Sequence, residues 1–236
     1  WVRGRMETPD GPVLLQDDEK ARHAHMRHAP HVVRVDDTYY MYFSYWDHED
    51  RTKNLLLARS EDPLGPFEID ESGPKLRPGA PWDSALVDDP CLINYQGVWH
   101  MYYKGRRKGT DPVDSCICLA RSDSIEGPWE KHPAGALFQC HTANLWPHRT
   151  GVAGISVNPN QQIVYAADGV EFEPVATLSE PLWDSGSYCP DAVDNGGYGR
   201  GVHWGLFMTA HDSPEHKDFA KYLQRWFLDL RVPQEG

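Results

Sequence analysis

Positive charge is scarce in this chain of 236 residues. Its 23 Lys and Arg face 35 Asp and Glu, which gives a formal net charge of −12. Such a surface repels phosphate backbones and anionic lipid headgroups, so we expect no nucleic-acid partner and no membrane partner. Long apolar runs are also missing. None approaches the roughly 18 residues of a membrane-spanning helix, so no span is predicted.

Paired cysteine motifs are absent as well. The five cysteines are odd in number, scattered, and form no C-x-x-C pair. They are Cys91, Cys116, Cys118, Cys140 and Cys189. This pattern predicts free buried thiols rather than a disulfide framework, although it leaves one bridge open.

Aromatic residues, by contrast, are abundant. The chain has nine Trp and eleven Tyr, more than an ordinary surface requires. Aromatic rings fill sheet cores and also stack on pyranose faces. The composition therefore suits a β-rich protein that binds sugar.

A segment of about sixty residues occurs twice. HAPHVVRVDDTYYMYFSYW (28–46) matches DDPCLINYQGVWHMYYKGR (88–106), sixty positions later. Downstream, LLLARSEDPLGPFE (55–68) matches CICLARSDSIEGPWE (116–130). A repeat of this length built from strand-like pieces predicts a repeat architecture.

Each copy contains three apolar runs and a short closing strand. In the first copy the runs are HVVRV, TYYMYFSY and LLLARS, and DPLGPFEI follows them. Three or four antiparallel strands per sixty residues predict a blade of a β-propeller. A blade has two apolar faces, so it needs neighbours on both sides.

Two weaker copies follow, one from about residue 134 to 174 and one starting at 181. We therefore predict an all-β, five-bladed β-propeller type, with about four blades in this chain and the N-terminal blade missing. The prediction is a single catalytic domain, 1–236, with approximate blades 8–70, 71–131, 132–176 and 177–234.

The inner ends of propeller blades converge on a central pocket, so the heads of the innermost strands predict the site. In the first two copies these are 28–30 and 88–90, and in the later two they are 139–142 and 189–191.

Asp89 is the sharpest catalytic candidate. It precedes a proline at the head of an apolar strand, where a desolvated carboxylate needs hydrogen bonds or a charge partner. The alternative is an Asp that caps a turn. Ala29 stands at the equivalent place in the first copy, which favours function over capping. Asp88 is expected to be a solvated neighbour.

His141 is the second catalytic candidate. An imidazole exchanges protons near neutral pH, so it can serve as a general acid. The alternative is a core histidine bonded to the backbone.

The remaining candidates are substrate-binding residues. They are His28, Lys104, Arg106, Trp146, Asp191 and His203. The alternative to substrate binding is that Lys104 and Arg106 are simply solvated. A tryptophan on a blade strand can likewise belong to the core. The cluster of His23, His25, His28 and His31 fits no standard zinc spacing. We expect these to be loop histidines that line a pocket, with His28 placed in it.

These motifs resemble the five-bladed propeller glycosidases. YYMYFSY, ARSEDPLGPFE and DDPCLI are similar to segments of glycoside hydrolase family 43 and its relatives. The strongest resemblance is to glycoside hydrolase family 117. It covers nearly the whole chain, through VDDPCLI with MYYKGR, CHTANLWPHRTGVAG, and YCPDAVDNGGYGRGVHWGLFM with LQRW.

The family 117 resemblance implies an exo-acting α-1,3-(3,6-anhydro)-L-galactosidase that trims agar oligosaccharides with inversion. It implies that Asp89 orients and tunes the acid, that His141 is the acid, and that an Asp about sixty residues before the His-Ala-Pro segment, outside this chain, is the base. Thr142 stands where the family usually has Glu, which leaves the substrate open. A divalent cation near the site and a homodimer are features of some relatives.

Two other functions stay open beside an oligosaccharide hydrolase of this kind. A family 43-like arabinofuranosidase or xylosidase needs a Glu acid in the third blade, but no Glu lies between Glu130 and Glu171. A non-catalytic carbohydrate-binding propeller is favoured by Thr142 and by the missing blade.

Overall fold

A computed structural model gives the fold of the chain. It describes residues 7–8, 11–12, 27–47, 49–157, 160–178, 199–200, 204–211 and 220–227. These residues form β-strands and one 3-10 turn, Pro112–Asp114, so the prediction of an all-β chain is confirmed. In the part of the chain that is described, no helix is long and apolar enough to cross a membrane.

The strands are β1 (Glu7–Thr8), β2 (Gly11–Pro12), β3 (Arg27–Val35), β4 (Thr38–Asp47), β5 (Thr52–Ser60), β6 (Glu68–Ile69), β7 (Leu86–Tyr95), β8 (Val98–Arg106), β9 (Cys116–Ser122), β10 (Glu130–Gln139), β11 (Thr142–Arg149), β12 (Gly151–Val157), β13 (Gln162–Ala166), β14 (Glu173–Thr177), β15 (Gly199–Arg200), β16 (Trp204–His211) and β17 (Ala220–Phe227).

Strands β3 to β6 form the first antiparallel unit, unit 1, in chain order. Successive side chains of β4 point to opposite faces of the sheet, so Tyr42 lies on one face and Phe43 on the other. Both side chains are buried. Tyr42 packs with Leu55 and Trp129, whereas Phe43 packs with Phe67. As predicted, apolar side chains lie on both faces of the unit.

Strands β7 to β10 form unit 2, which repeats the order of unit 1. Strand β10 pairs with β9, so unit 2 extends to Gln139. The predicted boundary at residue 131 therefore falls inside a strand. The sequence of β10, EKHPAGALFQ, hides this strand because its Pro and Gly interrupt the alternation.

Units 1 and 2 are joined by a parallel bridge and by a buried tyrosine. Lys53 of β5 pairs with Leu86 of β7. The Tyr42 hydroxyl donates to the Ile125 carbonyl at 2.7 Å and accepts from Trp129 Nε1 at 2.9 Å. A tyrosine of unit 1 thus provides the hydrogen-bond partner of two polar groups of unit 2, as expected of units that stack on each other.

The third unit, unit 3, contains β11 to β14, and β15 pairs with β11. Its first three strands lie inside the third copy that the sequence predicts from about residue 134 to 174. Strands β16 and β17 form a further antiparallel pair. The number of blades, the missing N-terminal blade and the single domain stay predictions.

Four cysteines are described, and all four are free as predicted; Cys91, Cys118 and Cys140 are also buried, whereas Cys116 is half-buried. Cys116 Sγ and Cys118 Sγ lie 3.6 Å apart without a bond. Cys189 lies outside the described residues.

Candidate active site

The heads of β3 and β7 share an unusual backbone. Ala29 has φ 49° and Asp89 has φ 47°, and each precedes a proline. Each strand also shifts register there, between His28 and His31 and between Asp88 and Cys91. Left-handed φ at a non-glycine residue and an irregular register are typical of bulges that redirect side chains. The repeated distortion turns the two strand heads toward one point.

Asp88 lies at that point and is 1% exposed. Its Oδ1 is 3.0 Å from His28 Nε2, and its Oδ2 is 2.7 Å from Lys53 Nζ and 3.1 Å from Lys104 Nζ. The expectation of a solvated neighbour is therefore wrong. A buried carboxylate requires charge partners, and three cationic or potentially cationic groups surround this one.

Asp89 lies beside Asp88 and is 16% exposed. Its Oδ2 accepts from Lys104 Nζ at 2.6 Å, and its backbone N–H donates to Ser44 Oγ at 3.1 Å. Ser44 and Lys104 are sixty positions apart and equivalent in the repeat. Equivalent residues of units 1 and 2 thus hold the same aspartate from two sides.

Together His28, Lys53, Asp88, Asp89 and Lys104 form what we call the charged cluster. Three of them were predicted site residues: His28, Asp89 and Lys104. The structure brings these three together and adds Asp88 and Lys53.

The charged cluster shifts the pKa values of its two carboxyl groups in opposite directions. Burial alone would raise the pKa of Asp88, but the hydrogen bond from His28 and the charges of Lys104 and Lys53 hold that pKa well below its usual range. For Asp89, burial and then the Asp88 charge raise the pKa, against the pull of Lys104. Two neighbouring carboxyls with opposed shifts are a pattern of acid–base sites.

Lys104 is the cation that links both carboxylates. Burial lowers its pKa, but the charges of Asp89 and Asp88 outweigh burial and raise it. Lys104 therefore stays charged, and its ammonium group can stabilise negative charge in the cluster.

Strand β11 packs against β7, the strand that carries Asp88 and Asp89. Burial raises the pKa of the Cys140 thiol to about 12, against its backbone hydrogen bonds and the positive charge of Lys104. The same strand contacts β7, because Cys91 Sγ donates to the Leu145 carbonyl at 3.4 Å. His141, which follows Cys140, therefore directly precedes a strand of unit 3 that contacts β7, the strand of Asp89.

His141 itself contacts the 3-10 turn. Its Nδ1 lies 3.4 Å from the Pro112 carbonyl. If Nδ1–H donates to this oxygen, Nε2 is left for a substrate. In the described part of the chain, no hydrogen bond joins His141 to Asp89, so their catalytic pairing stays a prediction.

The other predicted site residues have different outcomes. Trp146, predicted to bind substrate, is fully buried and is a core residue in this structure. Arg106 ends β8 opposite Leu86 and is half-buried, and its contact with substrate stays a prediction. Asp191 and His203 lie outside the described residues.

A divalent cation like that of some family 117 relatives would meet a donor set that does not suit it. Ligand atoms of His28, Asp88 and Asp89 lie within 4.8 Å of one another. However, Lys53 and Lys104 already place ammonium groups at 2.6–3.1 Å from the carboxylate oxygens. Two ammonium groups neutralise these carboxylates and repel another cation. We derive no step through a metal.

Of the four clustered histidines, the structure describes His28 and His31. Burial lowers the pKa of His31 to about 4, which keeps its ring neutral. His23 and His25 lie outside the described residues. Only His28 of the four is shown to contact a carboxylate.

Lys53 and Ser44 are site residues that sequence reasoning missed. Ser44 had a detectable signal, since it is the repeat equivalent of Lys104. Lys53 had none, because its counterpart 62 positions later is Ser115 and lysine is rarely buried.

Comparisons with known proteins place the fold among carbohydrate-active enzymes. No protein-family model matches the chain, and no curated protein matches it. A solved structure that matches is Zg3597, a family 117 glycoside hydrolase of the marine bacterium Zobellia galactanivorans. The TM-score is 0.70 at 26% identity, over 84% of this chain. The chain spans 60% of the length of Zg3597.

Two more distant structures share the fold alone. A glycosyl hydrolase of Bacteroides ovatus matches with TM-score 0.65 and 14% identity, over 86% of this chain and 67% of that one. A β-1,2-mannobiose phosphorylase of Listeria innocua matches with TM-score 0.59 and 12% identity, over 87% and 72%. The chain is therefore similar in fold and in sequence to a family 117 glycoside hydrolase, as its motifs predicted.

Proposed function

We propose that this chain is the propeller-type catalytic domain of an exo-acting, inverting glycoside hydrolase. Its substrate would be an oligosaccharide that ends in an α-1,3-linked anhydro-galactose or a related sugar. The observation that carries the proposal is the charged cluster. Two adjacent carboxyls with opposed pKa shifts lie at the joined heads of two sheets, in a chain similar to a family 117 enzyme.

Asp89 acts as the carboxyl group that faces the substrate. It is the more exposed of the two aspartates, at 16% against 1%. Asp88, held ionised by His28 and the lysines, keeps a fixed negative charge beside it. In this arrangement Asp89 orients the acid and stabilises the positive charge that develops on the sugar ring in the transition state.

His141 donates the proton to the leaving oxygen. With Nδ1 directed at the Pro112 carbonyl, Nε2–H is the donor. The bond between the anomeric carbon and the glycosidic oxygen breaks as that oxygen takes the proton. Water then adds to the opposite face of the sugar, and a carboxylate base about 6.5–9.5 Å from the acid accepts the water proton.

The base is the component that the charged cluster does not supply. Ala29 occupies the equivalent place in unit 1 and has no ionisable group. The family 117 resemblance puts the base outside this chain. A small carboxylate such as formate can then substitute for it in solution.

The test is hydrolysis of neoagaro-oligosaccharides and carrageenan fragments, with and without formate. Products are identified by mass spectrometry and NMR. We expect release of the terminal sugar with inverted configuration, and stimulation by formate. Retained configuration would exclude the inverting mechanism, and internal cleavage would exclude exo action.

A second candidate function is non-catalytic sugar binding. It is favoured by one observation: the strand head of unit 1 keeps the distorted backbone at Ala29 but lacks the carboxylate. A binding domain would hold the oligosaccharide and form no product under any of these conditions. It would also tolerate the change His141→Ala.

A further inference from the structure

A cavity lies at the opposite end of unit 2 from the charged cluster. It measures about 790 Å³ and is formed by the β7–β8 turn, β9, β10 and the loop after β13. Six of its residues are Tyr95, Gln96, His100, Arg121, His132 and Asp168. Asp88 and Tyr95 stand at the two ends of β7, about 23 Å apart at 3.3 Å per residue. Volumes of this size are typical of small-molecule sites.

Arg121 supplies hydrogen-bond donors to this cavity. Its Nε donates to His100 Nε2 at 3.0 Å, and His100 Nδ1 lies 3.0 Å from the Val98 carbonyl. His100 is therefore neutral, with its proton on Nδ1. Burial, with Arg121 as a smaller contributor, lowers its pKa to about 4. No described residue accepts a hydrogen bond from the two terminal amino groups of Arg121.

Asp168 supplies acceptors. Its Oδ1 accepts the backbone N–H groups of Val170 and Glu171, at 2.8 and 2.9 Å. Oδ2 makes no such bond. The bonds from Glu171 and Val170 lower the pKa of Asp168, so its carboxylate remains an acceptor.

Gln96 and His132 add further polar atoms. Gln96 Nε2 donates to the Tyr95 hydroxyl at 3.0 Å, which leaves its amide oxygen as an acceptor. His132 Nδ1 accepts the Ala134 N–H at 3.3 Å, so its other nitrogen carries the proton. Burial and then Arg121 lower the pKa of His132, which favours the neutral ring.

The walls of the cavity are held across two units. The Tyr95 hydroxyl lies 2.5 Å from the Thr150 carbonyl and 3.0 Å from the Ala167 carbonyl. The Tyr102 hydroxyl donates to the Gly169 carbonyl at 2.8 Å. Gly169 has φ +71°, and Tyr102 is buried beneath the loop. The loop that presents Asp168 is thus fixed before any ligand arrives, which reduces the entropy cost of binding.

The charges select against an anionic ligand. Arg121 contributes one positive charge, whereas Asp168 and Glu171 contribute two negative charges. Arg121 and His132 supply donors to the cavity, and Asp168 and Gln96 supply acceptors. Such an arrangement matches the paired donor and acceptor capacity of vicinal hydroxyl groups.

From this geometry we infer a second saccharide-binding site, separate from the charged cluster, that takes a neutral sugar unit. Arg121 would donate to ring hydroxyls and Asp168 would accept from them. The site would hold a distant part of an oligosaccharide chain, or a second chain.

The test is isothermal titration of the chain carrying Asp89→Asn, which slows hydrolysis of the probe. Neoagarotetraose is the neutral probe, and a sulfated carrageenan tetrasaccharide is the anionic probe. We expect two binding events for the neutral probe. Arg121→Gln and Asp168→Asn should each weaken one event at least about tenfold and leave the other unchanged.

Arg34→Gln is the matched control. Arg34 lies at the corresponding end of unit 1, is exposed, and pairs with Asp37 at 3.1 Å, so both events should persist in this variant. One event in the parent chain, or two that neither cavity variant alters, would overturn the inference. Preference for the sulfated probe would overturn its neutral character. If Arg121→Gln lowers the thermal unfolding midpoint, its weaker binding could reflect damage to the fold. The effect of the exposed Asp168→Asn variant on the two binding events then tests the inference.

Discussion

Ala29 and Asp89 occupy the same position in two copies of one distorted strand head, with φ 49° and φ 47°. The backbone conformation is thus a property of the repeat, and the carboxylate is particular to the second copy. An Asp required only for the turn would be needed in both. This difference supports a functional role for Asp89, and the predictions below test that role and the contacts around it.

The first prediction concerns the proposed acid. His141→Ala removes proton donation to the leaving oxygen, so kcat should fall by about 10²–10³ with little change in KM. A substrate whose leaving group needs no protonation should restore most of the rate. Steady-state kinetics with natural and activated substrates measure both effects.

Glu173→Gln, an exposed change on β14 of unit 3, is the control for the His141 variant and should keep wild-type kcat. An unchanged kcat for His141→Ala on the natural substrate would end the acid assignment.

The second prediction concerns the lysine that joins the two carboxylates. Lys104→Met leaves Asp88 and Asp89 buried with less compensation, and we expect a loss of about 3 kcal/mol in the free energy of unfolding. Urea denaturation measures it. Lys108→Met, an exposed control, should change stability by less than about 0.5 kcal/mol. Equal stabilities of the two variants would show that Lys104 does not pair as described.

The third prediction is a pH dependence. Because the folded protein holds the pKa of Asp88 below its usual range, this group stabilises the fold fully above the unfolded pKa of about 3.9. That stabilisation is lost as the pH falls from there toward the folded pKa. The stability difference between wild type and Asp88→Asn should therefore stay constant down to about pH 5 and shrink as the pH falls from there to about 2.

Denaturant unfolding at a series of pH values measures this difference. The exposed variant Asp37→Asn is the control and should retain the wild-type dependence. A difference between wild type and Asp88→Asn that stays constant, or grows, toward acid pH would contradict the ion pairs assigned to Asp88.

The fourth prediction tests how units 1 and 2 are joined. Tyr42→Phe removes the hydroxyl that bridges Trp129 Nε1 and the Ile125 carbonyl, and it leaves both without this partner. We expect a loss of about 1–3 kcal/mol in the free energy of unfolding. Tyr40→Phe on the same strand is the control and should be near neutral. A larger effect for Tyr40 than for Tyr42 would contradict the described packing.

Much of the fold follows from local pattern. Strands β4 and β5 were predictable because their apolar residues continue across both faces, and the repeat then predicted β8 and β9. Strand β10 was obscured because Pro133 and Gly135 interrupt it. Its place in unit 2 depends on pairing with β9, which a local pattern does not encode.

The site was predictable in part, for a related reason. A proline after Asp89 pointed to the strand head, but alternation could not tell which of the two aspartates is buried, since a bulge changes the side-chain phase of a strand. Lys53 comes from a neighbouring unit and meets Asp88 only through the packing of the two sheets. Long-range charge pairing of this kind leaves no spacing signal in the sequence.

The most direct test of the account is the rate of terminal-sugar release from neoagaro-oligosaccharides, measured by product NMR with formate present, for wild type and Asp89→Asn. We predict release by wild type and a decrease of at least about a hundredfold for Asp89→Asn. Asp37→Asn should match wild type. Equal rates for wild type and Asp89→Asn, or no release by wild type, would contradict the assignment of the charged cluster as a glycosidase site.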